Sequence, residues 1–169
     1  MKVEKITKYP SSVLRRRAEE VSLDNEIRTL IKRMKKAVKE HDGIGLAAPQ
    51  IGVSKRVIVI ETGDSFTALL NPEILEKSEE KITTKEGCLS VDGVWLDIER
   101  AKKIKARALT EEGEEVQIET EDLLAVVLQH EIDHLNGILF IDRAGFQKKI
   151  KSVILYYFKK YFYVFKKSR

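Results

Sequence analysis

At 169 residues the chain is long enough to bury a core without disulfide staples, so one domain spanning 1–169 is expected. Apolar residues at 43% and charged residues at 34% exclude a disordered chain and a membrane protein, and no window approaches the roughly 18 uninterrupted apolar residues of a membrane span. The opening "MKVEKITKYP" is charged where a signal peptide needs an apolar run, which makes a cytoplasmic location the expectation. The net charge of +4 is unevenly spread: residues 147–169 hold seven lysines, one arginine and no acid, leaving 23 basic against 27 acidic residues in 1–146.

Between Asp24 and His41, Ile27, Leu30, Ile31, Met34, Ala37 and Val38 recur at helical spacing, with Asp24 as N-cap and Gly43 as stop. The next stretch, "DGIGLAAPQIG", reads as a loop of small residues that lets backbone approach a substrate, or as a plain helix-to-strand connection. Short β-like runs follow in "RVIVIE", "FTALLNPEIL", "KITT", "KKIKARALT" and "EEVQIET", with a turn at Glu112 and Gly113. A helix from Asp122 to about Asn136, capped by Thr120 or Asp122 and ended near Gly137, carries "LLAVVLQHEIDHL". The last segment, about 147–166, places Ile150, Val153, Ile154, Tyr157, Phe158, Tyr161, Phe162 and Phe165 on one face of a basic amphipathic helix. The pattern is that of an α+β fold: antiparallel β-sheets packed around a central metal-binding helix, with further helices at the N- and C-terminal ends.

Metal chemistry is suggested by "HEIDH". Residues four apart lie on one helical face, about 6 Å apart along the axis, so His130 and His134 can address one ion. Glu131 sits about 100° round the helix, where it can reach a bound water without being a ligand. A catalytic zinc-type site usually takes three protein ligands. In zinc peptidases of the H-E-x-x-H-x-x-G-x-x-H type the third follows downstream, but here Gly137 is present and Phe140 stands where that histidine belongs. The remaining soft donor is the single cysteine, Cys88, in "KEGCLSV"; alone it reads as an inert buried thiol, and beside an incomplete histidine pair as the closing ligand.

The three stretches "GIGLAAPQ", "EGCLS" and "QHEIDHL", in this order and at these separations, resemble the signature motifs of peptide deformylase, and the resemblance extends from Lys5 to about Asp142. It implies a metal-dependent hydrolase that removes the formyl group from the N-terminal formyl-methionine of newly made polypeptides and releases formate. By motif, Cys88, His130 and His134 match the metal ligands, Glu131 the general base and acid, and Gln50 with the Leu89 backbone N–H the oxyanion donors. Gly45 matches a loop position whose backbone pairs with the substrate peptide. The implied cofactor is one divalent ion, Fe²⁺ in the cell, with Zn²⁺, Ni²⁺ or Co²⁺ as substitutes.

Leu123, Val126 and Val127 share the face of His130 and, with Ile44, form an apolar wall suited to a methionine side chain; ordinary core packing is the other reading of Val127 and Leu123. Asp92 and Trp95 depart from residues common in the family, and the resemblance implies that they border the outer substrate groove. The alternatives are a zinc endo- or aminopeptidase and a non-catalytic module with a structural metal site. The expected partners are N-formylmethionyl nascent peptides, with no DNA and no transmembrane segment. The basic tail suits the ribosome, a lipid surface, packing on the body or a second protomer.

Overall fold

The computed structural model describes residues 4–145 together with 150, 153, 154, 156 and 157. Helix α1 spans Asn25–Glu40. Asp24 caps it, its carboxylate accepting from the Ile27 N–H at 2.8 Å, and all six residues of the predicted apolar stripe are buried. The helix stops one residue before the expected position: Asp42 adopts the left-handed conformation (φ 52°), which a short polar side chain tolerates. Gly43 serves another purpose, since a Cβ there would lie 3.1 Å from Val38 and 3.2 Å from Leu89.

Five strands form one antiparallel sheet in the order β1-β2-β3-β6-β7: β1 Gly45–Ala47, β2 Val57–Thr62, β3 Ser65–Lys77, β6 Lys103–Leu109 and β7 Glu115–Glu121. The alternation in β2 explains why both faces of this sheet are covered. Val57 and Val59 pack with α1, while Ile58 and Ile60 point to the opposite face. Two more strands, β4 (Lys81–Cys88) and β5 (Val91–Ala101), pair as a separate hairpin.

Two of these strands differ from the sequence expectation. "GIGLAAPQ" is not loop throughout: Gly45–Ala47 pairs with Ile58–Ile60 as an edge strand, and Ala48–Ile51 forms one 3₁₀ turn. The stretch "VDGVWLDIERA" forms β5, although Gly93 (φ 68°) interrupts it and a buried Arg100 breaks its polar alternation. Its partner "KITT" extends to Cys88 for the same reason, because the pairing across the hairpin decides where each strand ends.

Helix α2, Asp122–Leu135, fills the space between the sheet's second face and the hairpin. It follows β7 without a loop. Neither Thr120 nor Asp122 caps it; Glu121 occupies the cap position without a side-chain bond, and the Asp122 N–H donates to the Lys102 carbonyl at 2.9 Å. Because it is covered on nearly every side, its polar residues Gln129, Glu131, Asp133 and His134 are buried. Gln129 uses its amide as a backbone substitute, bonding both the N–H (3.2 Å) and the C=O (2.9 Å) of Ala101 and tying β5 to the helix. At the far end Gly137 (φ 73°) admits the Arg15 backbone, which a Cβ would meet at 2.7 Å.

Phe140 opens the short helix α3 (Phe140–Arg143) and is buried with its ring centroid 6.0 Å from that of His130. It packs the histidine in place. Beyond α3, residues 150, 153, 154, 156 and 157 are helical, and Tyr156 is buried with its hydroxyl donating to the Tyr9 carbonyl. Phe158, Tyr161, Phe162 and Phe165 of the predicted stripe lie outside the described residues. No helix among the described residues is long and apolar enough to cross a membrane.

Candidate metal centre and active site

The hairpin delivers Cys88 to the middle of α2. A bulge between Glu86 and Cys88 ends the regular pairing and turns the thiol toward the helix. There the Cys88 sulfur lies 3.2 Å from His134 Nε2, and the rings of His130 and His134 meet edge to face with centroids 5.0 Å apart. One donor atom from each of Cys88, His130 and His134 falls within 4.8 Å of the others. Three convergent soft and imidazole donors suit a borderline divalent cation.

His130 is oriented by residues that motif reading did not single out. Its Nδ1 bonds Glu86 Oε2 at 2.8 Å, which leaves Nε2 for the shared site. Glu86 in turn takes two bonds from Arg100, at 2.8 and 2.9 Å, and Arg100 reaches Asp133 at 2.5 Å. Arg143 closes the chain on Asp133 at 2.5 and 3.0 Å. Burial pushes the Glu86 carboxyl up, but the bonds from Arg100 and His130 outweigh it and hold it at about 2, so it is an anion at any working pH. For His134, burial and the nearby charges of His130 and Arg100 lower the pKa well below the usual value, favouring the neutral imidazole that a metal requires. Two signals could have pointed to this network: Glu86 belongs to the "EGC" stretch, and Asp133 lies three residues beyond His130 on α2. Arg100 lay in the strand that the sequence pattern concealed.

Glu131 is buried beside these three donors, and its Oε2 meets no hydrogen-bond partner among the described residues. Burial raises its pKa to about 7, against the pull of His130. The other oxygen sits against Gly45, where a Cβ would stand 2.7 Å from Glu131 Oε1. The glycine of β1 thus makes room for the carboxylate. Gln50, on the 3₁₀ turn, accepts from the Ala47 N–H at 2.7 Å through Oε1, so its NH₂ group faces Cys88, 3.5 Å from the sulfur.

These groups open on a cleft of about 490 Å³. Of the eleven metal, catalytic and substrate-binding candidates from the sequence, ten line it: Cys88, His130, Glu131, Gln50, Leu89, Ile44, Gly45, Leu123, Val126 and Val127. His134 lies behind them, fully buried. Val127 also belongs to the core cluster between α2 and the sheet, as its core-packing reading expects. Leu123 and Ile44 are exposed at the mouth. Trp95 stands 63% exposed on the opposite rim, its ring against Gly87, where a Cβ would come within 2.9 Å.

The sequence profile of a family described as polypeptide deformylase matches residues 3–150. A peptide deformylase of Clostridium botulinum is 48% identical over 144 residues, covering 85% of this chain and 97% of that protein. The crystal structure of a peptide deformylase from Legionella pneumophila superposes with a TM-score of 0.88 at 37% identity, covering 96% of this chain and 98% of that one. A Met-Ala-Ser-bound class I type b peptide deformylase from Acinetobacter baumannii gives a TM-score of 0.79 at 36% identity, over 85% of this chain and 99% of that one. With the match running through every motif that shapes the cleft, the chain belongs to the polypeptide deformylase family.

Proposed function

We propose that Cys88, His130 and His134 hold one divalent ion and that Glu131, Gln50 and the Leu89 N–H carry out the family's chemistry around it. The enzyme hydrolyses the N-formyl group of formyl-methionyl polypeptides and releases formate. The observation that carries the residue assignment is Glu131: a buried carboxyl with an unpartnered oxygen, held beside three convergent donors, is costly unless a ligand and a reacting water occupy that space. When bound, the ion supplies Lewis acidity and acidifies a water toward neutral pH. Fe²⁺ is the ion we assign for the cell, with Zn²⁺, Ni²⁺ or Co²⁺ able to replace it; metal analysis of anaerobically purified protein tests this.

Glu131 accepts the water proton and returns it to the leaving amine, a task suited to a carboxyl whose pKa lies near the working pH. Gln50 has its oxygen engaged by Ala47, so its NH₂ is turned to the Cys88 side of the cleft and donates, with the Leu89 N–H, to the oxygen that becomes negative as the formyl carbon is attacked. Such a donor contributes about 3 kcal/mol to the barrier reduction. The wall of Ile44, Leu123, Val126 and Val127 takes the methionine side chain, and the edge of β1 at Gly45 offers backbone groups to the peptide. A relative bound to a peptide that begins with methionine supports this placement.

Formate release from a formyl-Met-Ala-Ser peptide by metal-loaded protein tests the proposal. Glu131→Gln is expected to lower kcat by about 10³-fold while metal content stays at one per chain. Loss of metal together with activity would show a ligand rather than a proton carrier. A zinc peptidase reading has no observation in its favour, since Phe140 is buried core.

We place the enzyme in the cytoplasm, as one catalytic domain whose basic tail meets the ribosome where its substrates emerge. Exchange of the seven lysines in 147–169 for glutamine is expected to abolish salt-sensitive ribosome binding and leave turnover of free peptide intact.

A further inference from the structure

The turn that carries Leu89 is gripped from behind by the N-terminal segment. Lys8 Nζ donates to the Leu89 carbonyl at 2.7 Å and to Asp92 Oδ1 at 2.6 Å, and the Tyr9 N–H donates to the Ser90 carbonyl at 2.8 Å. The Leu89 carbonyl and the Ser90 N–H are the two ends of one peptide unit. That N–H points at the Cys88 sulfur, 3.4 Å away. A cation at the oxygen end of an amide draws electron density toward it and makes the N–H at the other end a stronger donor. An N–H bond to a ligand sulfur takes up part of the thiolate charge and holds its direction.

We infer that Lys8 is a positioning residue for deformylation: held in place by Asp92, it fixes and polarises the Leu89–Ser90 peptide, which steadies the Cys88 sulfur through the Ser90 N–H and the adjoining Leu89 N–H at the cleft. The inference rests on the proposed roles of Cys88 and Leu89. It treats the ion pair as more than a surface contact for a specific reason. With the two side chains 42% and 65% exposed, the Lys8–Asp92 pair by itself adds little to stability. What distinguishes it is the second bond of the same ammonium, to a carbonyl whose peptide unit touches the candidate ligand. Asp92 lines the cleft as well, so the device sits at its edge.

The test uses Lys8→Met, Lys8→Arg and Asp92→Asn in the full chain, loaded with nickel for kinetics and with cobalt for spectroscopy. For a formyl-Met tripeptide, Lys8→Met is expected to lose about three- to tenfold in kcat with KM within about twofold of wild type. Lys8→Arg recovers most of the loss, because a guanidinium can donate to both oxygens. The thiolate-to-cobalt charge-transfer band reports on the sulfur without turnover: it shifts in Lys8→Met and shifts less in Asp92→Asn. An unchanged kcat and an unchanged band in Lys8→Met overturn the inference, as does a kcat loss with no shift of the band. If the wild type shows the band but releases no formate, the deformylation reading fails while the band comparison still decides the role of Lys8. A wild type without any sulfur band removes Cys88 as a ligand and the inference with it.

Discussion

Glu131 shows how one side chain couples stability to chemistry. In the metal-free protein burial raises its pKa from 4.5 to about 7. An unfolded chain releases this proton near 4.5, whereas the folded chain keeps it until about 7, so between those values the folded state binds more protons. The contribution to stability is therefore complete below about pH 4.5 and lost as pH rises through 7, roughly 3 kcal/mol in all. Urea unfolding of metal-free wild type and Glu131→Gln across this range is expected to show a decline in the wild type that the variant lacks. Parallel profiles would mean that the carboxyl titrates normally. The place of Glu131 next to His130 was legible in the H-E-x-x-H spacing. That Gly45 must lack a side chain to admit its carboxylate was not, since the two residues are 86 positions apart and meet only when β1 packs on α2.

At the level of elements, the hairpin and α2 are joined by buried charge. His130, Glu86, Arg100, Asp133 and Arg143 form a continuous chain from the candidate metal centre to α3, and Arg100 is its central link, with bonds to both carboxylates. Removing one member of a buried network leaves the others desolvated and unpaired. Arg100→Met is expected to destabilise the fold by about 3–5 kcal/mol in urea unfolding. A loss below 1 kcal/mol would show that water reaches Glu86 and Asp133 once the arginine is gone. Helices α1 and α2 were readable because each carries apolar residues at a 3.6-residue period, whereas the four-residue α3 is too short to show one. Strand β5 was not, because it serves as lid and wiring at once: Val91, Val94 and Ile98 pack inward, but so does Arg100, and the mixture erases the two-residue alternation.

Across the whole molecule, α1 covers one face of the five-stranded sheet, α2 the other, and the hairpin with α3 closes over α2. The candidate metal centre lies where the hairpin and α2 meet, so an ion bound there cross-links two parts of the fold that no disulfide joins. Binding to the folded state alone stabilises by mass action, about 4 kcal/mol when free metal exceeds Kd a thousandfold. The thermal midpoint is expected to rise with added nickel and to fall on chelation, and Cys88→Ser is expected to remove most of that increment. An equal increment in Cys88→Ser would place the ion elsewhere.

The amino-acid sequence by itself determined the α+β class, helix α1 with its Asp24 cap, the helix bearing His130 and His134, and the set of residues that could meet at one ion. The helices and the histidine pair rest on local spacing, which is set by helix geometry and survives without knowledge of neighbours; Cys88 joined the set as the single soft donor left and through the motif resemblance. Tertiary structure decided what local spacing could not encode: that Cys88 reaches His134 across 46 positions, that Glu86 and Arg100 aim His130, that Phe140 packs where the peptidase motif places a ligand, and that Lys8 grips the turn beside the cysteine. These contacts join segments far apart in the chain, and it is the burial of α2 between sheet and hairpin that brings them together.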